Sequence, residues 1–228
     1  MIEIGAGFGS LTLALAAAGS RVVAVEFDRG VVPALREVAA DAPGVRVVEA
    51  DAMRLDWSAV LDGGDWILCG NLPYNIATPL VLDVLDGVVR VRRIVVMVQR
   101  EVGERLVARP GDEAYGAVSV RVAYHASASL VRRVGPDVFW PRPKVDSVVV
   151  RIERRAHPPV DVDEGRLWRV VDGAFAQRRK TMRNALRRLG HDAAGADDLL
   201  TGAGIDPRAR PEDLSLDDFA RVAFALPA

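Results

Sequence analysis

The amino-acid sequence predicts an α/β fold in which an open, mostly parallel sheet is followed by a small C-terminal all-α domain. In the first half, short β-branched segments alternate with helix-forming segments, and the last third has helical periodicity. Such alternation is typical of parallel sheets, because the helices that connect parallel strands cover the sheet faces. The segment His157-Pro158-Pro159 is a predicted linker. We therefore predict a first domain of residues 1–155 and a second of residues 160–228.

The composition predicts a folded protein without disulfides. Half of the 228 residues are hydrophobic and 27% are charged, which indicates a substantial core. Cys69 is the only cysteine and the three histidines are scattered, so neither a disulfide framework nor a metal site is predicted. No apolar run reaches the roughly 18–20 residues that a membrane helix needs, and no signal peptide is evident. We expect a cytoplasmic monomer with no membrane association.

A glycine-rich segment, EIGAGFGSLT at residues 3–12, connects the first predicted strand to the first predicted helix. Glycines allow the tight turn and the close approach of the backbone to a ligand that such a connection needs. The spacing G-x-G-x-G differs from the G-x-G-x-x-G of dinucleotide sites. It favours a mononucleoside ligand such as S-adenosylmethionine, bound near Gly5 and Gly7.

Functional residues follow each of the next three predicted strands. These strands are predicted at residues 22–25, 45–48 and 66–69, with a helix at residues 29–40 between the first two. Glu26 and Asp51 follow the first two strands, and Asn71 follows the third. Because parallel strands end at one edge of the sheet, these residues and Gly5 are expected to share a nucleoside site. Glu26 is placed to bind ribose hydroxyls.

The segment Asn71-Leu72-Pro73-Tyr74 combines an amide, a stiff backbone and an aromatic ring. Asn71 offers an amide oxygen, and the carbonyl of Pro73 is expected to be free of helix and strand hydrogen bonds. Together with the flat face of Tyr74, these groups could hold a planar amino group. The alternative is an ordinary strand-to-turn transition, in which Asn and Pro are common.

The second half begins with further alternating elements and a proline-rich segment. A helix is predicted at residues 79–85, a strand at 93–98, a helix from residue 99 and a strand at 148–152. The segment FWPRPKVDS at residues 139–147 is stiffened by its two prolines and carries Arg142 and Lys144. From the residues alone, Phe139 is more often a core side chain than a surface that stacks on a base.

A basic run, FAQRRKTMRNALRR at residues 175–188, has six basic residues and no acidic one. Its apolar residues recur near helical spacing, which predicts a helix with a buried apolar face and an exposed basic face. The overall charge of −1 gives no general attraction for nucleic acid, so phosphate contacts must be local. The predicted contacts are Arg178, Arg179, Lys180, Arg183 and Arg187. A solvated helix face is the alternative. Ser215 is a predicted N-cap for a final helix at residues 216–225.

Several of these segments resemble motifs of the ribosomal RNA small-subunit adenine N6-dimethyltransferases. Residues 3–12 look like the first cofactor motif, Glu26 like the ribose-binding residue, and Asp51-Ala52 like the adenine-binding pair. Residues 70–79, GNLPYNIATP, resemble the catalytic motif over ten positions, and residues 139–147 resemble a second signature. The basic run is also similar, and the resemblance extends from residue 3 to about residue 224.

This resemblance implies a Rossmann-like class I S-adenosylmethionine-dependent methyltransferase sheet and a C-terminal RNA-binding domain. The implied cofactor residues are Gly5, Gly7, Glu26, Asp51, Ala52 and Asn71, with S-adenosylhomocysteine as the product. The implied catalytic residues are Asn71, Leu72, Pro73, Tyr74 and Phe139, of which Phe139 is the second stacking aromatic. The implied partner is 16S rRNA in the small ribosomal subunit, contacted also by Arg142 and Lys144. Its implied target is two adjacent adenosines in a 3′-terminal hairpin loop.

Two other functions remain open. One is an adenine N6-methyltransferase of large-subunit 23S rRNA that confers macrolide resistance, and the other is a non-catalytic ribosome assembly factor. The sequences of residues 71–75 and 143–147 favour the small-subunit enzyme. The intact segment 71–74 argues against an assembly factor that has lost catalytic activity. Family members carry a segment ahead of the first cofactor strand that helps to hold the methionine end. The resemblance implies that this chain is N-terminally truncated and lacks that part of the cofactor cover.

Overall fold

A computed structural model describes residues 1–73 and 75–226 of the chain, so Tyr74, predicted to be catalytic, lies outside the described residues. The strands of this part are β1 (Ile2–Ile4), β2 (Val22–Glu26), β3 (Val45–Glu49), β4 (Trp66–Asn71), β5 (Val91–Gln99), β6 (Ala126–Val134) and β7 (Ser147–Arg154). Its helices are α1 (Ser10–Ala17), α2 (Val32–Ala39), α3 (Trp57–Val60), α4 (Ala77–Gly87), α5 (Arg100–Val107), α6 (Ala117–His125), α7 (Glu164–Phe175), α8 (Met182–Arg188), α9 (Ala193–Gly202) and α10 (Leu216–Ala225).

The seven strands form one sheet in the order β3-β2-β1-β4-β5-β7-β6. Strands β1 to β5 pair in parallel, whereas β7 runs antiparallel to both of its neighbours. The predicted α/β class with a mostly parallel sheet is confirmed. Strand β6 was not predicted, because it lies at the edge of the sheet and most of its residues are exposed, so it lacks the apolar run of a central strand.

The chain forms two compact units. The first comprises Met1–Gly103 and Ala126–Arg155, and the second comprises Glu104–His125 and Ala156–Ala228, of which the structure describes residues up to 226. The predicted boundaries had left residues 104–125 in the first domain. These residues belong to the helical unit because Tyr115, Val120 and Tyr124 are buried in its core.

Close packing of the central strands fixes the position of the segment that follows β4. A Cβ atom on Gly70 would lie 2.3 Å from the carbonyl oxygen of Ile4, so only glycine lets β4 approach β1 this closely. Leu72, directly beyond β4, is buried, and its N–H donates to the Met97 carbonyl of β5 at 3.0 Å. The backbone from Gly70 to Leu72 is therefore held by both neighbouring strands.

The basic run does not form the continuous helix that was predicted. Helix α7 ends at Phe175, residues 176–180 form turns, and α8 begins at Met182 after an extended Thr181. The N–H of Met182 donates to the Ala209 carbonyl at 2.9 Å, and the Met182 side chain is fully buried. The chain changes direction here because the apolar side chains of α7 and α8 pack into one core.

Across the described ranges, no helix is both long enough and apolar enough to cross a membrane.

Candidate active site

A cavity of about 360 Å³ lies at the carboxyl ends of β1 and β2. Of the predicted cofactor residues, Gly5, Glu26, Asp51 and Ala52 line it. Pro73, from the predicted catalytic segment, lines the same cavity. Residues distant in the sequence therefore meet at one sheet edge, as their positions after parallel strands predicted. Among the described residues, Gly7 and Asn71 do not line the cavity.

Three glycines shape the loop between β1 and α1. Gly5, Gly7 and Gly9 have φ angles of 72°, 55° and 86°, which lie in the left-handed region that side chains disfavour. At Gly9 a Cβ atom would also meet Leu35 and Val38 of α2 at 3.1 and 3.0 Å. The loop thus needs glycine for its conformation, and at Gly9 for space as well.

The carboxylate of Glu26 is held by three backbone N–H groups. One oxygen accepts from Gly7 at 2.8 Å, and the other accepts from Phe27 at 2.8 Å and Asp28 at 2.9 Å. An ionised carboxylate has about four acceptor positions, so these bonds orient Glu26 and leave capacity for a ligand hydroxyl. The bond from Gly7 also ties the glycine loop to the end of β2. Gly7 therefore affects the site by positioning Glu26.

Asp51 and Ala52 form the third side of the cavity. The Asp51 Oδ1 accepts from the Met53 N–H at 2.9 Å and so begins the short 3-10 turn Ala52–Arg54. The Oδ2 atom makes no hydrogen bond with the described residues, and it is available to accept one from an amino group. Ala52 is buried and lines the cavity beside it with an apolar methyl group.

Glu3, in β1 directly before the glycine loop, is a buried acid. Glu3, which is 2% exposed, accepts a hydrogen bond of 2.5 Å from the Thr12 hydroxyl of α1. Burial raises the pKa of Glu3, the bond from Thr12 opposes that rise, and the charge of Glu26 adds to it. Burial also raises the pKa of the nearby Cys69 thiol to about 12, so this thiol stays protonated at neutral pH.

The carbonyl of Pro73 is not free, and the expectation that it would be was wrong. It accepts from the N–H groups of Ile76 and Ala77, both at 3.1 Å, at the beginning of α4. The Leu72 carbonyl accepts no backbone N–H from residues 1–73 or 75–226. The Asn71 side chain is exposed at the end of β4. The available acceptors at this edge are therefore Asn71 and the Leu72 carbonyl.

The segment before β7 is largely exposed. Phe139 is half-buried and does not belong to the buried core, in contrast to the interpretation that its residue type alone favoured. Trp140 beside it is 97% exposed, and Arg142 and Lys144 are also exposed. This part of the first unit combines aromatic and basic side chains that solvent can reach.

The predicted basic contacts divide into two groups. Arg178 donates to the Glu212 carboxylate at 2.9 Å and to the Glu113 carbonyl at 2.5 Å, and Arg183 pairs with Asp197. The side chains of the second group are exposed and form no hydrogen bond or ion pair with the part of the chain that the structure describes. This group comprises Arg179, Lys180 and Arg187.

Seven residues that line the cavity were not predicted as site residues: Ile4, Val25, Phe27, Asp28, Ala50, Asn75 and Ile76. Phe27 is 70% exposed although it is large and apolar, and Asn75 and Ile76 line the same cavity. Phe27 directly follows Glu26, and Asn75 follows Tyr74. Phe27 could have been identified by its position directly after β2, whose last residue already belonged to the site, and Asn75 by its position directly after the predicted catalytic segment 71–74.

A family model described as ribosomal RNA adenine dimethylase matches residues 1–226. The chain belongs to this family.

The similarity to curated members of the ribosomal RNA adenine dimethylase family covers almost the whole chain. A protein of Thermobifida fusca named ribosomal RNA small subunit methyltransferase A is 46% identical over 98% of this chain and 79% of its own length. A protein of the same name from Moorella thermoacetica is 43% identical over 99% of this chain and 82% of its own length.

Solved structures share the fold of this dimethylase family member. A dimethyladenosine transferase from Plasmodium falciparum superposes with a TM-score of 0.80 and 23% identity, covering 97% of this chain and 87% of its own. The 23S rRNA methyltransferase ErmE superposes with a TM-score of 0.75 and 25% identity, covering 99% of this chain and 89% of its own.

Proposed function

We propose that this chain transfers methyl groups from S-adenosylmethionine to N6 of two adjacent adenosines in a 3′-terminal hairpin loop of 16S rRNA. The observation that carries the proposal is the 46% identity, over 98% of the chain, to a protein named ribosomal RNA small subunit methyltransferase A. The geometry supports it, because residues of the resembling motifs meet around one cavity. We place this activity in the cytoplasm, with the small ribosomal subunit as partner.

The cavity fits a nucleoside cofactor. Its lining combines apolar surface from Ile4, Val25 and Phe27 with the carboxylates of Glu26 and Asp51. Carboxylates accept hydrogen bonds from ribose hydroxyls and from an exocyclic amino group, and apolar side chains cover the faces of a base. Glu26 would hold the ribose, and Asp51 with Ala52 would hold the adenine. When bound, S-adenosylmethionine supplies an electrophilic methyl group.

The residues that follow β4 would orient the target amine. The lone pair of adenine N6 is delocalised into the ring, so the amine is a weak nucleophile until its two hydrogens are held by acceptors. The Asn71 amide oxygen and the Leu72 carbonyl are the acceptors available at this edge. Because Leu72 is buried and its N–H is bonded to β5, its carbonyl is fixed before the substrate binds.

Aromatic side chains would hold the extruded base. An adenine stacked in a helix cannot reach such a site, so the target must be unpaired or flipped. Phe139 is half-buried, with a ring that remains accessible on the first unit. We assign one stacking surface to Phe139 and the other to Tyr74. No general base is needed, because the proton of N6 can leave after the transfer.

Exposed basic residues would contact the RNA backbone. Arg179, Lys180 and Arg187 in the second unit, and Arg142 and Lys144 in the first, are exposed to solvent. Residues 175–180 line an open cavity with a volume of about 460 Å³. Arg178 and Arg183 instead have acidic partners within the second unit, so we assign them to its stability first.

The most direct test maps methylated adenines by mass spectrometry on small and large ribosomal subunits after incubation with protein and labelled S-adenosylmethionine. We expect two adjacent dimethylated adenosines in the small subunit only. Methylation of the large subunit would favour the 23S rRNA function, which the fold similarity to ErmE makes a specific competitor. Absence of transfer to either subunit would favour an assembly factor.

Asn71→Ala should lower methyl transfer by roughly 100-fold or more, because one preorganised acceptor is lost at the reacting amine. The exposed position of Asn71 predicts an unchanged melting temperature. Asn71→Asp retains an acceptor oxygen and serves as the matched control, with partial activity expected. Wild-type rates in the Ala variant would remove Asn71 from the mechanism.

A further inference from the structure

We infer that Trp140 is a stacking surface for an unpaired nucleotide of the RNA substrate, in addition to the aromatic residues assigned above. The inference rests on the proposed function and deepens it by naming a residue that recognises the RNA strand outside the reacting adenine. Trp140 is 97% exposed. In contrast, Trp66 is buried, and Trp57 and Trp168 are half-buried.

Full exposure of an indole ring is unusual in a folded chain that has a core available. Two of the other tryptophans have identifiable structural contacts. The Trp66 indole N–H donates to the Asp62 carbonyl at 3.0 Å. Trp168 packs edge-on against Tyr124 at 5.0 Å between ring centroids. Trp140 contributes nothing comparable to the core, so the face of its ring is free to stack on a base.

The segment that carries Trp140 is anchored at both ends. The Phe139 N–H donates to the Pro136 carbonyl at 3.3 Å, and the Arg100 N–H donates to the Asp146 carbonyl at 2.9 Å. Between these anchors, Pro141 and Pro143 fix their own φ angles and restrict the residues that precede them. Trp140 is therefore presented on a backbone with little freedom left to lose, which lowers the entropic cost of binding.

The charge around Trp140 identifies the chemistry of the partner. Arg142 and Lys144 are exposed in the same segment, and no acidic residue lies between Asp137 and Asp146. Aromatic rings interleaved with basic side chains are the combination that binds single-stranded nucleic acid, with rings stacking on bases and cations contacting phosphates. An unpaired loop of RNA presents both groups at once.

Three variants separate stacking from other roles. Trp140→Ala and Trp140→Leu remove the aromatic face, whereas Trp140→Phe retains one. We expect KM for small subunits to rise roughly 10-fold in the Ala and Leu variants and to stay within about threefold of wild type in the Phe variant. The turnover number at saturating subunits and the Kd of S-adenosylhomocysteine should not change.

The matched control is Phe224→Leu. Phe224 is also an exposed aromatic residue, at 78%, but it lies on α10 of the second unit between Ala223 and Ala225. This variant should have the wild-type KM. The melting temperatures of all four variants should equal that of wild type, since none of the replaced side chains is buried.

Indole fluorescence gives a second, spectroscopic measurement. Stacking on a base quenches indole emission, so an isolated hairpin RNA should quench the wild-type protein more than the Trp140→Phe variant. If that RNA quenches both proteins equally while KM still depends on Trp140, the residue contacts a ribosomal protein and the inference is overturned. A wild-type KM in Trp140→Leu also overturns it.

The same measurements keep the inference distinct from the proposed function. Absence of methyl transfer by wild-type protein to any subunit contradicts the proposed function itself. Active wild-type protein with an active, tightly binding Trp140→Leu variant contradicts only the role of Trp140.

Discussion

The carboxyl edge of the sheet in the first unit and the basic run in the second unit differ in how their functional groups are fixed. At the sheet edge, Gly5, Glu26 and Asp51 line one cavity although they come from different strands. In the basic run, residues adjacent in the sequence have different roles: Arg178 is bonded within the unit, whereas Arg179 is exposed.

The difference follows from the physical origin of each arrangement. Parallel strands bring their ends to one edge whatever the side chains are, so a residue's place after a strand determines its neighbourhood. The environment of a surface charge depends instead on partners from elsewhere in the chain. Glu212 and Asp197, the partners of Arg178 and Arg183, lie 34 and 14 positions away. The basic run alone does not reveal them.

The largest effect should come from breaking the sheet edge itself. Gly70→Ala places a Cβ atom 2.3 Å from the Ile4 carbonyl oxygen, which forces β4 away from β1. We expect a loss of about 1–3 kcal/mol or more in the free energy of unfolding, and a roughly 100-fold loss of methyl transfer because Asn71 is displaced. Urea denaturation and the subunit methylation assay measure the two effects.

Gly87→Ala is the matched control for Gly70→Ala. A Cβ atom on Gly87 meets nothing within 4 Å, so the same chemical change there is accommodated. If the two variants were equally stable and equally active, close packing of β1 and β4 would not be what positions the segment 70–73.

Substitutions in the basic run should distinguish basic residues that contact RNA from those that stabilise the second unit. Replacing Arg179, Lys180 and Arg187 together by alanine should reduce the slope of log affinity for RNA against log salt by about 2–3, at roughly 0.7–0.9 for each phosphate contact. The free energy of unfolding should stay within about 0.5 kcal/mol of wild type, because these side chains are exposed.

Arg178→Ala supplies the contrast. It removes the nearer of the two arginines that pair with the half-buried Glu212 carboxylate and leaves Arg210 at 3.6 Å. The free energy of unfolding should fall by about 1 kcal/mol, with a smaller change in the salt slope. A triple variant that binds RNA with an unchanged salt slope would show that the exposed basic side chains are only a solvated surface.

The smallest effect concerns Glu3, the buried acid in β1 directly before the glycine loop. Because burial raises the pKa of Glu3 above its ordinary value of 4.5, the folded chain binds this proton more tightly than the unfolded chain. The contribution of Glu3 to stability is therefore greatest below pH 4.5 and is lost as the pH rises through the raised pKa.

Glu3→Gln retains an acceptor for the Thr12 hydroxyl but cannot ionise. Relative to wild type, its free energy of unfolding should increase between pH 4.5 and pH 8, as measured by urea denaturation at both values. Parallel pH profiles of the two proteins would contradict a buried, titrating Glu3.

The sequence predicted a mostly parallel sheet and five of the twelve residues that line the cavity, because these depend on local patterns and on the rules of parallel topology. It did not predict that the Pro73 carbonyl would accept bonds at the start of α4, since the helix was predicted to begin at residue 79 and α4 begins at Ala77. It also missed that Tyr115 and Tyr124 belong to the helical core. These tyrosines pack against helices that lie far downstream in the sequence, so the residues next to them do not indicate their burial.

The division of the chain into units that are interleaved along the sequence has a consequence for its synthesis. Residues 104–125 emerge from the ribosome before residues 156–226, which complete the core that buries Tyr115, Val120 and Tyr124. The edge strand β6 likewise emerges before β7, the only strand with which it pairs in the described sheet. A nascent chain of which only residues up to about 140 have left the ribosome would therefore expose both an unpaired strand and three side chains that lack their core. We expect such a chain to bind chaperones until residues 156–226 complete the core of the second unit.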